Sequence, residues 1–165
     1  MESGNLQTIM NNFNALLAED SATWKYVKSA EKNPDFADQN ANSIRAWKKL
    51  GPATTEFTLR IECIYPFIEP EDCFNLLADI RSKLNNDDRF QNGEILEDRG
   101  DSFIAYWKTP KPPIPMVSAR EFLQDIYKVK DGMGEGRHFG GSMSVEHPSK
   151  PVTKDNVRAI AHLAG

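Results

Sequence analysis

The sequence predicts an α+β domain in which an N-terminal helix and a mid-chain helix accompany an antiparallel β-sheet. Three observations carry that expectation. Apolar residues alternate with others over Thr54–Tyr65 and again through Phe103–Tyr127, the period of a strand with one covered face. At residues 5–18 and 70–84 they recur at helical spacing instead. The order is a helix, about three strands, a helix, and then a run of strands joined by turn signals, which builds hairpins.

A chain of 165 residues is expected to form one domain over residues 1–165, burying roughly 70% of its unfolded surface. With 39% hydrophobic and 27% charged residues it has a globular composition. No apolar run approaches the length of a membrane span. The opening MESGNLQ lacks a basic head before an apolar stretch, so the expected location is cytoplasmic. The two cysteines, Cys63 and Cys73, read as small buried hydrophobes, not as a disulfide. A net charge of −4 supplies neither the basic footprint that nucleic acid demands nor a general attraction to anionic membranes.

Along the chain, Leu6, Ile9, Met10, Phe13, Leu16 and Leu17 form the stripe of an amphipathic helix with Ser3 or Asn5 as N-cap. Its polar face carries Asn and Gln, which suits packing on a sheet better than a membrane surface. Short strands follow at Trp24–Val27 and Ile44–Lys49, separated by a polar loop containing Asn33-Pro34. Thr54–Tyr65 sets Phe57, Leu59, Ile61, Cys63 and Tyr65 on one side and is expected to be half-buried. Pro70 opens the second helix, acids at Glu69, Glu71 and Asp72 favour its dipole, and Cys73, Leu76, Leu77, Ile80 and Leu84 form one stripe. Strands at about 94–98 and 102–108 are joined by Arg99-Gly100-Asp101, read as a tight turn and not an adhesion motif. The prolines from Pro110 to Pro115 have PxxP spacing and are read as a rigid crossover. Asp131-Gly132 to Gly136 makes a hairpin connection, and Phe139–Val145 and Val157–Leu163 are the last two strands.

The stretch Phe103–Tyr127 holds the candidate site. Alternation groups Phe103, Ala105 and Trp107 on one strand, and Arg120, Phe122, Gln124 and Ile126 on the next. A face that mixes aromatics with a cation and an amide suits a pocket for an amphipathic ligand. The alternative is an ordinary sheet core, and Arg120 is expected to be buried and paired with a carboxylate such as Glu97 or Asp79. Catalytic motifs are absent: there is no CxxC, HExxH, P-loop or GxSxG. His138 and His147 make a weak metal signal, and no cofactor or catalytic residue is expected.

Leu76-Leu77-Ala78-Asp79-Ile80, Tyr106-Trp107, Pro115-Met116 followed by Arg120-Glu121-Phe122, Ser144-Val145-Glu146-His147-Pro148 and Val157-Arg158-Ala159 occur in register over residues 22–165. In this the chain resembles a START (StAR-related lipid-transfer) domain. The resemblance implies a helix-grip fold, in which a curved antiparallel sheet wraps a long C-terminal helix and one lipid occupies the tunnel between them. It implies a non-enzymatic carrier or sensor of lipid that contacts membranes transiently and needs no nucleic acid. The positions matching the ion pair of sterol-binding members are Trp107 and Ile126, so a phospholipid is expected rather than a sterol. In the phosphatidylcholine-transfer branch, which the chain resembles most, an aromatic cage holds choline; Trp107, Phe122 and His162 stand at its positions. Arg81 and Arg89 are both candidates for the phosphate-binding arginine.

The family continues beyond the point matched by Gly165 with a final strand and the closing helix, and this chain is expected to lack both. The competing reading is a ligand-free interaction module that binds a partner on its open concave sheet.

Overall fold

The computed structural model describes residues 2–29, 44–53, 56–63, 65, 68–114, 117–153 and 157–165. The Asn33-Pro34 loop, Thr54 and the Pro115-Met116 pair lie outside them. Helix α1 spans Glu2–Ala18, as its apolar stripe predicts. Residues 15–69 then form one compact unit, and residues 1–14 with 70–165 form another.

In the smaller unit a 3-10 turn over Ser21–Thr23 is capped by the Asp20 carboxylate, which accepts the Ala22 N–H at 2.9 Å. Strands β1 (Lys25–Ser29), β2 (Ile44–Leu50) and β3 (Phe57–Cys63) follow in an antiparallel sheet of that order. One face gathers the Tyr26 ring against Trp47 at 5.8 Å, Arg60 over Trp47 at 5.5 Å, and Lys49 over buried Trp24 at 5.2 Å. Lys49 also pairs with Glu19 at 2.6 Å.

The other face corrects an expectation. The alternation in β3 is as read, yet Phe57, Leu59 and Ile61 are 56%, 51% and 60% exposed, and Cys63 is exposed rather than buried. The side carrying Thr58 and Arg60 is the half-covered one, because Trp47 and Lys49 lie across from them, with Lys49 over Trp24, and no described element of this unit covers the apolar side.

The larger unit opens with α2 (Pro70–Leu77) and α3 (Ile80–Asn86). The stripe over 70–84 reads as one helix, and the structure divides it. Asp79 adopts φ −78°, ψ 79° and its carboxylate accepts the Ser82 N–H at 3.0 Å, so this residue caps a second helix instead of extending the first. In consequence Leu76 and Leu77 are 70% and 58% exposed, and of the stripe only Ile80 is buried.

Six strands follow: β4 (Gln91–Asp98), β5 (Ser102–Lys108), β6 (Arg120–Val129), β7 (Phe139–Ser144), β8 (Val157–Arg158) and β9 (His162–Ala164). The sheet runs β4-β5-β6-β7-β9 in antiparallel ladders, with β8 added parallel to the start of β6. Between β4 and β5 the expected tight turn is present: the Arg99 N–H donates to the Ser102 carbonyl at 2.9 Å and Gly100 has φ 85°. The single strand read over Val157–Leu163 is two strands. Between them the Ala161 carbonyl accepts from Gln124 Nε2 at 2.9 Å and its N–H donates to Ser144 Oγ at 3.0 Å, so side chains hold the backbone where a ladder would continue.

The register gives this sheet two faces. On one, Phe103, Ala105 and Trp107 form a core with Ile80 from α3. On the other, Tyr127, Phe139 and Met143 receive Leu6, Ile9, Met10 and Phe13 of α1. Asn5 fixes that docking by donating to Asp125 at 3.1 Å. Close approach of helix and sheet depends on Gly141, where an added Cβ would lie 2.8 Å from Ile9 Cγ2 and 3.0 Å from Phe139 Cε1. Gly141→Ala is therefore expected to cost about 1–3 kcal/mol by overpacking. Thermal melting reads it, and an unchanged transition would show that α1 does not pack against this strand.

Candidate functional site

The face that carries Trp107 looks onto a cavity of about 700 Å³ lying wholly within the larger unit. Strand residues Trp107, Gln124, Ile126 and Ser142 form its floor, α2 and α3 contribute Phe74, Leu77, Ile80 and Lys83, and Leu163 of β9 adds to the wall. The volume falls within the range of about 300–1,000 Å³ usual for small-ligand sites, and the lining is mostly apolar.

Trp107 and Phe122 are directly opposed in the β5–β6 ladder, and their rings stack at 5.4 Å with 11° between planes. They share one face, as alternation predicts, with Trp107 on the cavity wall and Phe122 half-buried beside it. Phe90 packs on the other aromatic contact of Trp107, also at 5.4 Å. Phe103 is buried beneath, in the core with Ile80. Ile126 lines the cavity directly. Gln124 is 1% exposed, and both ends of its amide are engaged: Nε2 donates to Ala161 O, and Oε1 accepts from Ser142 Oγ at 3.1 Å. It is a satisfied polar group in an apolar wall, holding the approach to β9 in place.

Other expected members stand elsewhere. Arg120 is half-buried, and Nη1 donates to the Ser118 carbonyl at 2.7 Å. Among the described residues it has no carboxylate partner: Asp79 caps α3, and Glu97 meets His147 at 3.2 Å. His162 is exposed and faces Met143 across the ladder, on the α1 side of the sheet, away from Trp107 and Phe122. The resemblance that put His162 in a cage with them carries no register, and here Ala161, held by Gln124 and Ser144, separates β8 from β9. Arg81 is exposed, pairs with Asp98 and lies 5.5 Å from the Phe103 ring centroid. Arg89 is 83% exposed and pairs with Asp87 at 2.6 Å. Neither arginine lines the cavity.

The basic residues that do line it are Lys83, Lys128 and His138. Lys128 was reachable from the sequence, since it continues the Phe122, Gln124, Ile126 series by one more alternate position. Lys83 was reachable as the residue three beyond Ile80 on α3. Burial pushes the Lys83 ammonium below its ordinary range. Cys73 lines the cavity as well and is half-buried, close to its expected role.

A buried charge cluster lies on the opposite face of β6. Glu121, 3% exposed, pairs with Arg158 of β8 at 2.9 Å and accepts from the Tyr106 hydroxyl at 3.0 Å. Burial, and then the hydrogen bond to Glu121, push the Tyr106 phenol up to about 12; Tyr127, buried and donating to Asp125, is pushed up to about 12 as well. The folded state thus holds these phenols protonated above their unfolded value of about 10. Their stabilisation is full below that value and is lost as pH rises toward 12. Alkaline titration of tyrosine absorbance is expected to show two of the four tyrosines ionising late, together with unfolding. Four phenols titrating together near their ordinary value in a folded chain would contradict it.

No family model matches the sequence, and no curated protein matches it. Solved structures do. Human STARD10 is similar with a TM-score of 0.68 and 17% identity, over 93% of this chain and 57% of that one. The human StAR-related lipid transfer protein 5 follows at 0.66 and 18%, over 98% and 73%. A fragment of a STAR-related lipid transfer protein from Xanthomonas axonopodis gives 0.59 and 18%, over 86% and 72%.

Proposed function

We propose that this chain, whose α+β architecture is the helix-grip fold of START domains, binds one lipid in the cavity against Trp107 and carries or senses it without chemistry. The observation that carries the reading is the cavity itself, apolar and set between the β5–β7 face and helices α2 and α3. Two of the similar structures are described as lipid transfer proteins. Because the likeness extends over 93% and 98% of the chain, residues 1–165 are read as a single START-like domain. The proposed ligand is a phospholipid in preference to a sterol. Trp107 and Ile126 stand where the resemblance puts the sterol-binding ion pair, and both are apolar residues on the cavity wall that leave a sterol hydroxyl no charged partner there. A cytoplasmic carrier that touches membranes briefly completes the proposal.

A second reading has its own support. Phe57, Leu59 and Ile61 form an apolar strip on β3, more than half exposed, as an interaction module for a partner helix would present. Native mass spectrometry before and after organic extraction separates the two: a co-purified lipid supports the carrier, and its absence, with no uptake from vesicles, favours the module. Transfer of labelled phosphatidylcholine, labelled phosphatidic acid and labelled cholesterol between vesicles, run in parallel, tests the ligand class. Faster movement of cholesterol than of either phospholipid would overturn the phospholipid assignment.

A further inference from the structure

The cavity wall carries charge of one sign only. Lys83 from α3 and Lys128 from β6 both line it, while among the described residues no aspartate or glutamate does. Neither lysine is in an ion pair with a described carboxylate. Lys83 donates to the carbonyl of Leu77 at the end of α2, and Lys128 Nζ lies 5.9 Å from the Phe103 ring centroid. The remaining basic group, His138, is packed on Phe74 at 4.9 Å with its side chain 9% exposed. Its Nδ1 accepts the Asp131 N–H at 3.1 Å, so the neutral ring carries its proton on Nε2 and remains a donor. Acids stand nearby but off the wall: Asp131 lies 3.7 Å from His138 Nδ1, and Asp79 and Asp87 act on Lys83 from α3 and its end. All three basic groups on the wall can therefore donate a hydrogen bond into the cavity, and no described acid lines it.

We infer that the cavity selects an amphiphile whose head is anionic, a carboxylate or a phosphate of net negative charge, held by Lys83 and Lys128. This deepens the lipid-binding reading and rests on it. Two half-buried ammonium groups facing an apolar space gain a partner from an anion, whereas a choline or ammonium head adds like charge to a wall that offers it no acid. The partial burial that lowers the Lys83 pKa also reduces the solvent screening between its ammonium and an anion that enters.

The test uses the full chain and four single-tailed probes of one chain length: palmitate, hexadecanol, palmitoyl-lysophosphatidic acid and palmitoyl-lysophosphatidylcholine. Titration is followed by displacement of a fluorescent fatty acid. The anionic member of each pair is expected to bind about tenfold tighter or more, the effect of one charge-assisted hydrogen bond. The two anions distinguish a carboxylate source from a phosphate source. In the Lys83→Gln/Lys128→Gln double variant the preference is expected to vanish, and in the Lys83→Arg/Lys128→Arg variant to persist. The arginine variant also serves as the folded control, its melting transition compared with that of the parent. Equal binding of hexadecanol and palmitate, or a preference that survives both glutamines, overturns this inference while leaving lipid binding intact. Failure of all four probes to bind overturns the lipid-binding reading and this inference together.

Discussion

Replacing Arg158 by alanine is expected to destabilise the fold by about 3–5 kcal/mol, the largest single effect outside the cavity. The loss follows from what is left behind. Glu121, with its side chain only 4% exposed, would keep the Tyr106 hydroxyl as a partner and lose the guanidinium that balances its charge. Arg158 Nη2 also donates to the Lys150 carbonyl at 2.9 Å, so the same substitution frees the turn after β7. A urea-denaturation midpoint measures it. The double replacement Glu121→Leu/Arg158→Leu is expected to cost much less than the sum of the singles, because it removes both charges at once. Additivity to within about 0.5 kcal/mol would show that the two groups do not act as a pair.

Trp107→Ala is the second large effect, and it has two readouts. Removing the indole takes a partner from Phe122 and Phe90 and opens the core containing Phe103 and Ile80, at a cost of about 3–5 kcal/mol. It also removes the aromatic part of the cavity floor, so uptake of a labelled phospholipid from vesicles is expected to fall more than for Phe122→Ala. Phe122 is only half-buried and stands beside the wall rather than on it. Trp107→Phe should recover most of the stability. If Phe122→Ala impaired uptake as severely as Trp107→Ala in folded protein, the cavity would not be where the lipid sits.

How much of this was legible in the residues differs from element to element. Period-2 alternation over Phe103–Tyr127 placed Phe103, Trp107, Phe122, Gln124 and Ile126 on one face, because a strand permits no other arrangement once its register is fixed. The same reasoning in β3 identified two faces and then covered the wrong one. Periodicity tells which residues travel together; it does not tell what packs against them, and here Trp24 and Lys49 claim the other side. The division of the second helix had a local signal, Asp79 three residues before Ser82, that the apolar stripe outweighed. The buried charge expected at Arg120 is found one position on, at Glu121. Glu121 is the interior member because β8 delivers Arg158 to that face, a long-range pairing that no local pattern encodes. His162 was placed only by the resemblance, which carries no register; the ladder pairs it with Met143 on the α1 side.

The docking of α1 has a consequence for the order in which the chain can fold. Asn5 finds its partner Asp125 at a sequence distance of 120 residues, and Leu6, Ile9, Met10 and Phe13 wait for Tyr127 and Phe139 in the same way. At about 5–20 residues per second, ribosomal synthesis of the intervening chain takes roughly 6–24 s. For that interval α1 has its apolar stripe uncovered, while the β4–β7 meander, made of neighbouring hairpins, can assemble as soon as it appears. Helix α1 is thus made well before the strands it docks on. In refolding experiments the burial of α1 should form a slow phase distinct from growth of the sheet.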